Sequence, residues 1–194
     1  IKLTQTSVKY FIITAVSYVS PNTTITVYGG TDYDLANATI TSPYYSTQKA
    51  PQGFPLNPAE WSVVASDATV REQTNPTQNT WYNLGSFSIS IPIGVWDVYF
   101  VAPIYTARAT AGNLSPWVSL STANNSVSTA THTVRSFSAG GTGLMDALYN
   151  SFVISVASKK TYYLVEKTDQ TGVTSLTLNP GNETSRIVIV CAYL

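Results

Sequence analysis

Charge is what this sequence has least of: 10% of its 194 residues are Asp, Glu, Lys or Arg, and the formal net charge is zero. Lys159 and Lys160 are the only adjacent basic residues. No stripe is therefore available to neutralise a run of phosphates, and nucleic acid is excluded as an expected partner. Cysteine is limited to Cys191, which rules out an intrachain disulfide, and histidine to His132. One of each cannot assemble a zinc, haem or two-histidine metal site, so no metal or other cofactor is expected. No stretch reaches the roughly 18 apolar residues that a membrane-crossing helix requires, and membrane insertion is not expected. The start at Ile1 is neither a signal peptide nor an initiator Met, which suggests a processed or excised piece.

In place of charge, 13 Tyr, 4 Trp and many Thr, Ser and Asn carry the polarity, a composition that suits strands. Val8–Tyr18 and Thr23–Tyr28 are β-branched and aromatic runs separated by Ser20-Pro21-Asn22, the pattern of a hairpin. Gly29-Gly30 ends the second run, and the prolines at 43, 51, 55 and 58 then crowd the chain too densely for a central strand. We place a boundary near residue 55. A small N-terminal β-hairpin module with a Pro-rich connector occupies 1–55, and a larger domain occupies 56–194.

In the larger part, Asn57-Pro58-Ala59-Glu60 has the form of a helix start one turn long. Apolar and polar residues then alternate at short intervals. Phe87–Ile91 and Trp96–Phe100 read as two strands joined by a tight hairpin at Pro92-Ile93-Gly94. Further strands are expected at Trp117–Thr122, Val127–Phe137, Phe152–Ala157, Thr161–Lys167, Thr174–Leu178 and Ser185–Leu194. Many short strands without a long helical pattern predict an all-β protein, an antiparallel β-sandwich of jelly-roll type. Gly140–Gly143 reads as a flexible surface loop, with a short helix possible over Leu144–Leu148.

Two strands carry apolar residues on both faces. In the last, Ile187, Ile189, Cys191 and Tyr193 share one face while Val188, Val190, Ala192 and Leu194 share the other. Val95 and Tyr99 show a weaker form of this opposite Trp96. A sandwich strand with one solvated face needs apolar residues on one side only, so Val188, Val190, Leu194, Val95 and Tyr99 are expected at an interface between copies of the chain.

Catalytic signatures are missing. His132 lies in an alternating stretch, and no G-x-S-x-G elbow accompanies it. Asp32 and Asp34 form a pair of acids without a third ligand, and Gly140-Gly141-Thr142-Gly143 lacks the Lys of a phosphate loop. Glycoside hydrolysis needs two carboxylates about 5–10 Å apart. Asp32, Asp34, Glu60, Asp67, Glu72, Asp97, Asp146, Asp169 and Glu183 are available, and nothing in the sequence marks a pair among them. The expectation is a binding or assembly protein, not an enzyme. Sugar rings stack on Trp and Tyr while Asn, Ser and Thr bond their hydroxyls, which makes Trp81, Tyr82, Trp117, Tyr44 and Tyr45 the candidate ligand contacts.

Several stretches resemble tail-fibre and related appendage proteins of bacteriophages. They include Ile1–Thr6 with Val8–Phe11, Ser20–Thr24, Tyr28–Tyr33 and Ser42–Ser46 leading to Pro51–Pro55. Asn79–Gly85, Ile91–Gly94 with Trp96-Asp97-Val98, Leu120–Ser126, Thr161–Leu164 and Cys191–Leu194 resemble the distal part of such proteins. The resemblance implies a homotrimer on the virion, with an N-terminal module joining it to other virion proteins and a distal β-sandwich touching a host surface glycan or receptor. It also implies an upstream fibre segment before Ile1. The alternatives are a purely structural virion protein (head fibre, decoration or neck component) and, ranked last, a polysaccharide depolymerase.

Overall fold

The computed structural model describes residues 1–28, 35–44, 62–91, 94–156 and 160–193. Its strands are, in chain order, β1 Lys2–Gln5, β2 Ser7–Tyr10, β3 Ile12–Val19, β4 Asn22–Tyr28, β5 Thr41–Tyr44, β6 Ser62–Asp67, β7 Arg71–Thr74 and β8 Ser88–Ile91. They continue with β9 Gly94–Leu114, β10 Pro116–Ser121, β11 Thr133–Arg135, β12 Ser138–Val156, β13 Lys160–Thr168, β14 Val173–Leu178 and β15 Ser185–Tyr193. Every pairing among them is antiparallel.

The N-terminal strands pair with one another, as the sheet β2-β1-β5 and the hairpin β3-β4. The single run expected from Val8 to Tyr18 breaks at Phe11, which is buried, so that β2 turns back on β1 while β3 joins β4. Gln5 closes this part from inside: its amide donates to the Ala36 and Ala38 carbonyls and accepts from the Ala36 N–H. The boundary expected near residue 55 and the helix start at Asn57 lie outside the described residues.

The remaining strands build a β-sandwich. One sheet is ordered β11-β10-β13-β8. The other has β9 as its spine, with β12 along one edge and β15-β6 and β14-β7 end to end along the other. Two-residue alternation explains why the sheets meet face to face. Trp96, Val98, Phe100, Ala102 and Ile104 of β9 point inward, with Ile187 and Ile189 of β15 and Leu178 of β14 beside them. They meet Ile89 and Ile91, Val118 and Leu120, and Tyr162 and Leu164 from the facing sheet. Each such side chain adds about 1.5–3 kcal/mol by leaving water, which is what holds the layers together.

Three expectations fail for stated reasons. Phe87–Ile91 and Trp96–Phe100 are not a hairpin: β8 pairs with β13 and β9 with β15, so the chain crosses between sheets and their apolar faces oppose each other across the core. The glycines of 140–143 are not a loop, and Leu144–Leu148 is not helical; both belong to β12. Glycine permits close cross-strand approach there, since a Cβ on Gly143 would stand 2.8 Å from the Tyr105 hydroxyl. Val127–Phe137 is mostly irregular, with a 3-10 turn at Ala130–His132 and only Thr133–Arg135 as strand.

Asn179 ties the sandwich together at one end. It is fully buried in the left-handed region at φ 57°, which asparagine tolerates better than most residues. Its amide donates to the carbonyls of Asp67 at 2.8 Å and Thr69 at 3.0 Å, and accepts from the Ser185 N–H at 2.8 Å and hydroxyl at 2.6 Å. Asn179→Ala leaves four polar groups without their partner, two of them on the fully buried Ser185, and is expected to cost about 2–3 kcal/mol, read as a lower urea midpoint at unchanged slope.

Candidate functional site

A row of four large side chains crosses the small sheet. Tyr82 makes a two-bond bridge to Glu166, which sets Trp81 beside Lys167 of β13. Lys167 pairs in register with Trp117 of β10, and Trp117 with Arg135 of β11. The resulting order across the strands is Trp81, Lys167, Trp117, Arg135. The Lys167 ammonium stands 4.9 Å from the Trp81 ring centre and 5.1 Å from that of Trp117, whose ring also has the Arg135 guanidinium at 5.0 Å. Each such contact is worth roughly 0.5–1 kcal/mol at a partly exposed site. Both indoles are half-buried, so the row is fixed yet accessible.

Asp169 lies at the foot of this row. Burial raises its pKa, but hydrogen bonding from Gln170, Trp117 and Ser115 and the charge of Arg135 outweigh it and hold the carboxyl below its ordinary value. Trp117 Nε1 and Ser115 Oγ are near enough to act on Asp169 without closing hydrogen bonds of full geometry. Asp169 is therefore a carboxylate at neutral pH, and the row with its acid carries a net positive charge.

Beyond Trp81 the chain runs into an open polar groove of about 550 Å³. Arg71, Glu72 and Gln73 of β7 line one side, and Tyr82, Asn83, Gly85 and Asn125 the other. Asn83 is fixed by the loop it faces: its N–H donates to the Asn125 side chain at 2.8 Å and its amide donates to Asn124. Arg71 is held by Asp67 at 2.7 Å and lies on Gly85, at φ 86°, where a Cβ would meet the guanidinium at 2.1 Å.

A third feature is the outer face of the large sheet. Val64, Val188 and Tyr99 form one cross-strand row on it, and Val190, Asp97 and Val153 the next. Tyr149 follows opposite Val101. Tyr149 is 68% and Val153 62% exposed. This is a broad apolar surface interrupted by Asp97 and, beside Val101, Arg186.

Of the ligand contacts expected from sequence, Trp81 and Trp117 come together in the row. Tyr82 turns the other way: its ring packs against the core and its hydroxyl accepts from the Thr77 N–H at 2.8 Å, although it still lines the groove. Tyr44 stands apart on β5, exposed beneath the Lys2 ammonium at 5.7 Å. Tyr45 is outside the described residues. Of the expected interface residues, Val188, Val190, Val95 and Tyr99 share the outer face of the large sheet, and Leu194 is outside the described residues.

Sequence reading missed Lys167, Arg135 and the groove residues Arg71, Gln73 and Asn125. Strand register brings Lys167 and Arg135 to the aromatics, and the turn that holds Asn125 against Asn83 closes the groove; neither register nor a turn contact is legible in a single strand.

Several titratable groups are buried, His132 and Cys191 among them. His132 is buried, stacks on Phe152 at 4.0 Å and meets the Leu120 carbonyl at 3.2 Å through Nδ1; burial lowers its pKa against that hydrogen bond, so it is neutral at pH 7. Burial, then the charge of Asp97, pushes the Cys191 thiol up to about 11, which leaves it unreactive. Among the described residues, no cluster of three or more His, Cys, Asp or Glu is placed to hold a metal ion.

Comparison with known proteins gives little. No family model matches, and no curated protein matches. Among solved structures, the VP2 subviral particle of infectious bursal disease virus is similar at 14% identity and a TM-score of 0.39, over 83% of this chain and 37% of that one. The Gx strain structure of the same virus is similar at 11% identity and 0.28, over 82% and 40%, and the Gt strain at 14% and 0.23, over 90% and 49%. The chain thus spans less than half of each of these proteins.

Proposed function

We propose that this chain is a self-associating module of a virion appendage, of tail-fibre type and trimeric, which holds a host surface glycan on the Trp81–Lys167–Trp117–Arg135 row. The row is the observation that carries the reading, because it holds two half-buried indoles, alternating with two cations, at fixed spacing beside an amide-lined groove. The setting on a virion is supported by the resemblance of the sequence to phage appendage proteins. Self-association is supported by the exposed Val64, Tyr99, Tyr149, Val153 and Val190. Three copies would turn shallow sites into useful avidity.

The test is a glycan array probed with the purified chain. Wild type is expected to bind, and Trp117→Ala to lose roughly 1–2 kcal/mol of contact with the sugar, or about five- to thirtyfold in affinity, at unchanged circular dichroism. The apolar face also favours a second reading, a purely structural virion protein. That reading predicts the same association with no signal on the array.

A further inference from the structure

We infer that the row is a two-subsite platform for an acidic polysaccharide in which one sugar of each disaccharide carries a carboxylate or sulfate. The inference rests on the glycan-binding reading above and adds the charge and the repeat of the ligand.

Indoles and cations alternate along the row: Lys167 lies between Trp81 and Trp117, and Trp117 between Lys167 and Arg135. Adjacent strands stand about 4.8 Å apart, so the two cations are offset by ~9.6 Å, a distance comparable with a disaccharide. A sugar chain laid across the row from the solvent side meets the indole edges with its rings and brings one acid group to each cation. A neutral sugar would use the indoles and the amides of the groove and gain nothing from the cations.

The distribution of charge points the same way. The chain has ten basic residues, and two of them alternate with two of its four tryptophans in this one row. Asp169 offsets one positive charge but is engaged from below by Gln170, whose amide donates to it at 2.7 Å. One positive charge remains for a ligand. Cations lying on indoles also lose part of their hydration before any ligand arrives, which strengthens a charge-assisted hydrogen bond to an incoming acid.

The experiment is calorimetric titration of the full chain with an oligosaccharide of alternating uronic acid and neutral sugars, with the same oligomer after its carboxyls are reduced to alcohols, and with oligogalacturonate and sialylated, sulfated and neutral oligosaccharides. At least one acidic oligomer is expected to bind, with its neutral counterpart weaker by roughly tenfold, the equivalent of one charge-assisted hydrogen bond. Lys167→Met and Arg135→Gln should each remove most of that preference and flatten its dependence on salt, with circular dichroism unchanged. Equal binding of acidic and neutral oligomers, lost in Trp117→Ala, overturns the acidic ligand and leaves the glycan reading standing. Acid-selective binding that survives both charge-removing variants overturns the placement on this row. No binding to any oligosaccharide by the folded chain overturns both.

Discussion

Glutamine in place of Glu166 is expected to stabilise the protein at pH 8 and to leave it almost unchanged at pH 4. Glu166 shares the inward face of β13 with Tyr162 and Leu164, in register between Val118 and Tyr82, and is 2% exposed. Neither carboxylate oxygen has a hydrogen-bond partner. Desolvation therefore pushes the carboxyl from its ordinary 4.5 up to about 8. Below the ordinary value both folded and unfolded chains hold the proton, and the residue costs nothing beyond its unmet hydrogen bonds. Between there and pH 8 the unfolded chain releases the proton while the folded chain keeps it, so stability falls as pH rises. The slope is about 1.4 kcal/mol per pH unit, on the order of 4 kcal/mol across the window.

A carboxamide has the shape of the protonated acid and cannot ionise. Urea midpoints of wild type and Glu166→Gln should therefore coincide at pH 4 and diverge steadily towards pH 8. His132, with its pKa lowered by burial, acts with the opposite sign, costing stability as pH falls below 6.5, but it is present in both proteins and cancels. Parallel curves would mean that the Glu166 carboxylate finds a partner in the folded protein.

The second large effect concerns assembly. Val153→Asp puts a charge on the exposed outer face of the large sheet, beside Asp97 in register, where the folded subunit has room for it. Its cost to the isolated fold, from the like charge opposite and the lost β-branched residue, should stay within about 1–2 kcal/mol. In an association of copies that covers this face, the same change buries like charges side by side and is expected to dissociate the particle. Light scattering should report a multiple of the 20.9 kDa chain for wild type, three times it for a trimer, and the single chain for Val153→Asp. A wild-type monomer at micromolar concentration would contradict self-association through this face.

These expectations show where sequence was informative. Alternation with period two placed most strands of the sandwich, because a residue buried on one face of a sheet leaves its imprint every second position, as in Trp96, Val98 and Phe100. The same logic found the two-faced β15. It failed where pairing overrides local chemistry: glycines 140–143 look like a loop until a long partner strand draws them into a ladder, and Pro92-Ile93-Gly94 looks like a hairpin although its flanks belong to different sheets. Trp81 and Trp117 were legible as aromatics in polar surroundings, whereas their cations were not, since Lys167 and Arg135 reach them only across strand register. Glu166 did leave a signal in the alternation Tyr162, Leu164, Glu166, an acid in phase with an apolar face.

Adsorption of the purified chain to host cells tests most directly whether the row is a receptor site. Wild type is compared with a Trp81→Ala/Trp117→Ala double variant matched for mass in solution and for circular dichroism. Saturable adsorption by wild type and its loss in the double variant are expected. Equal adsorption by both proteins would rule out the row as the receptor site.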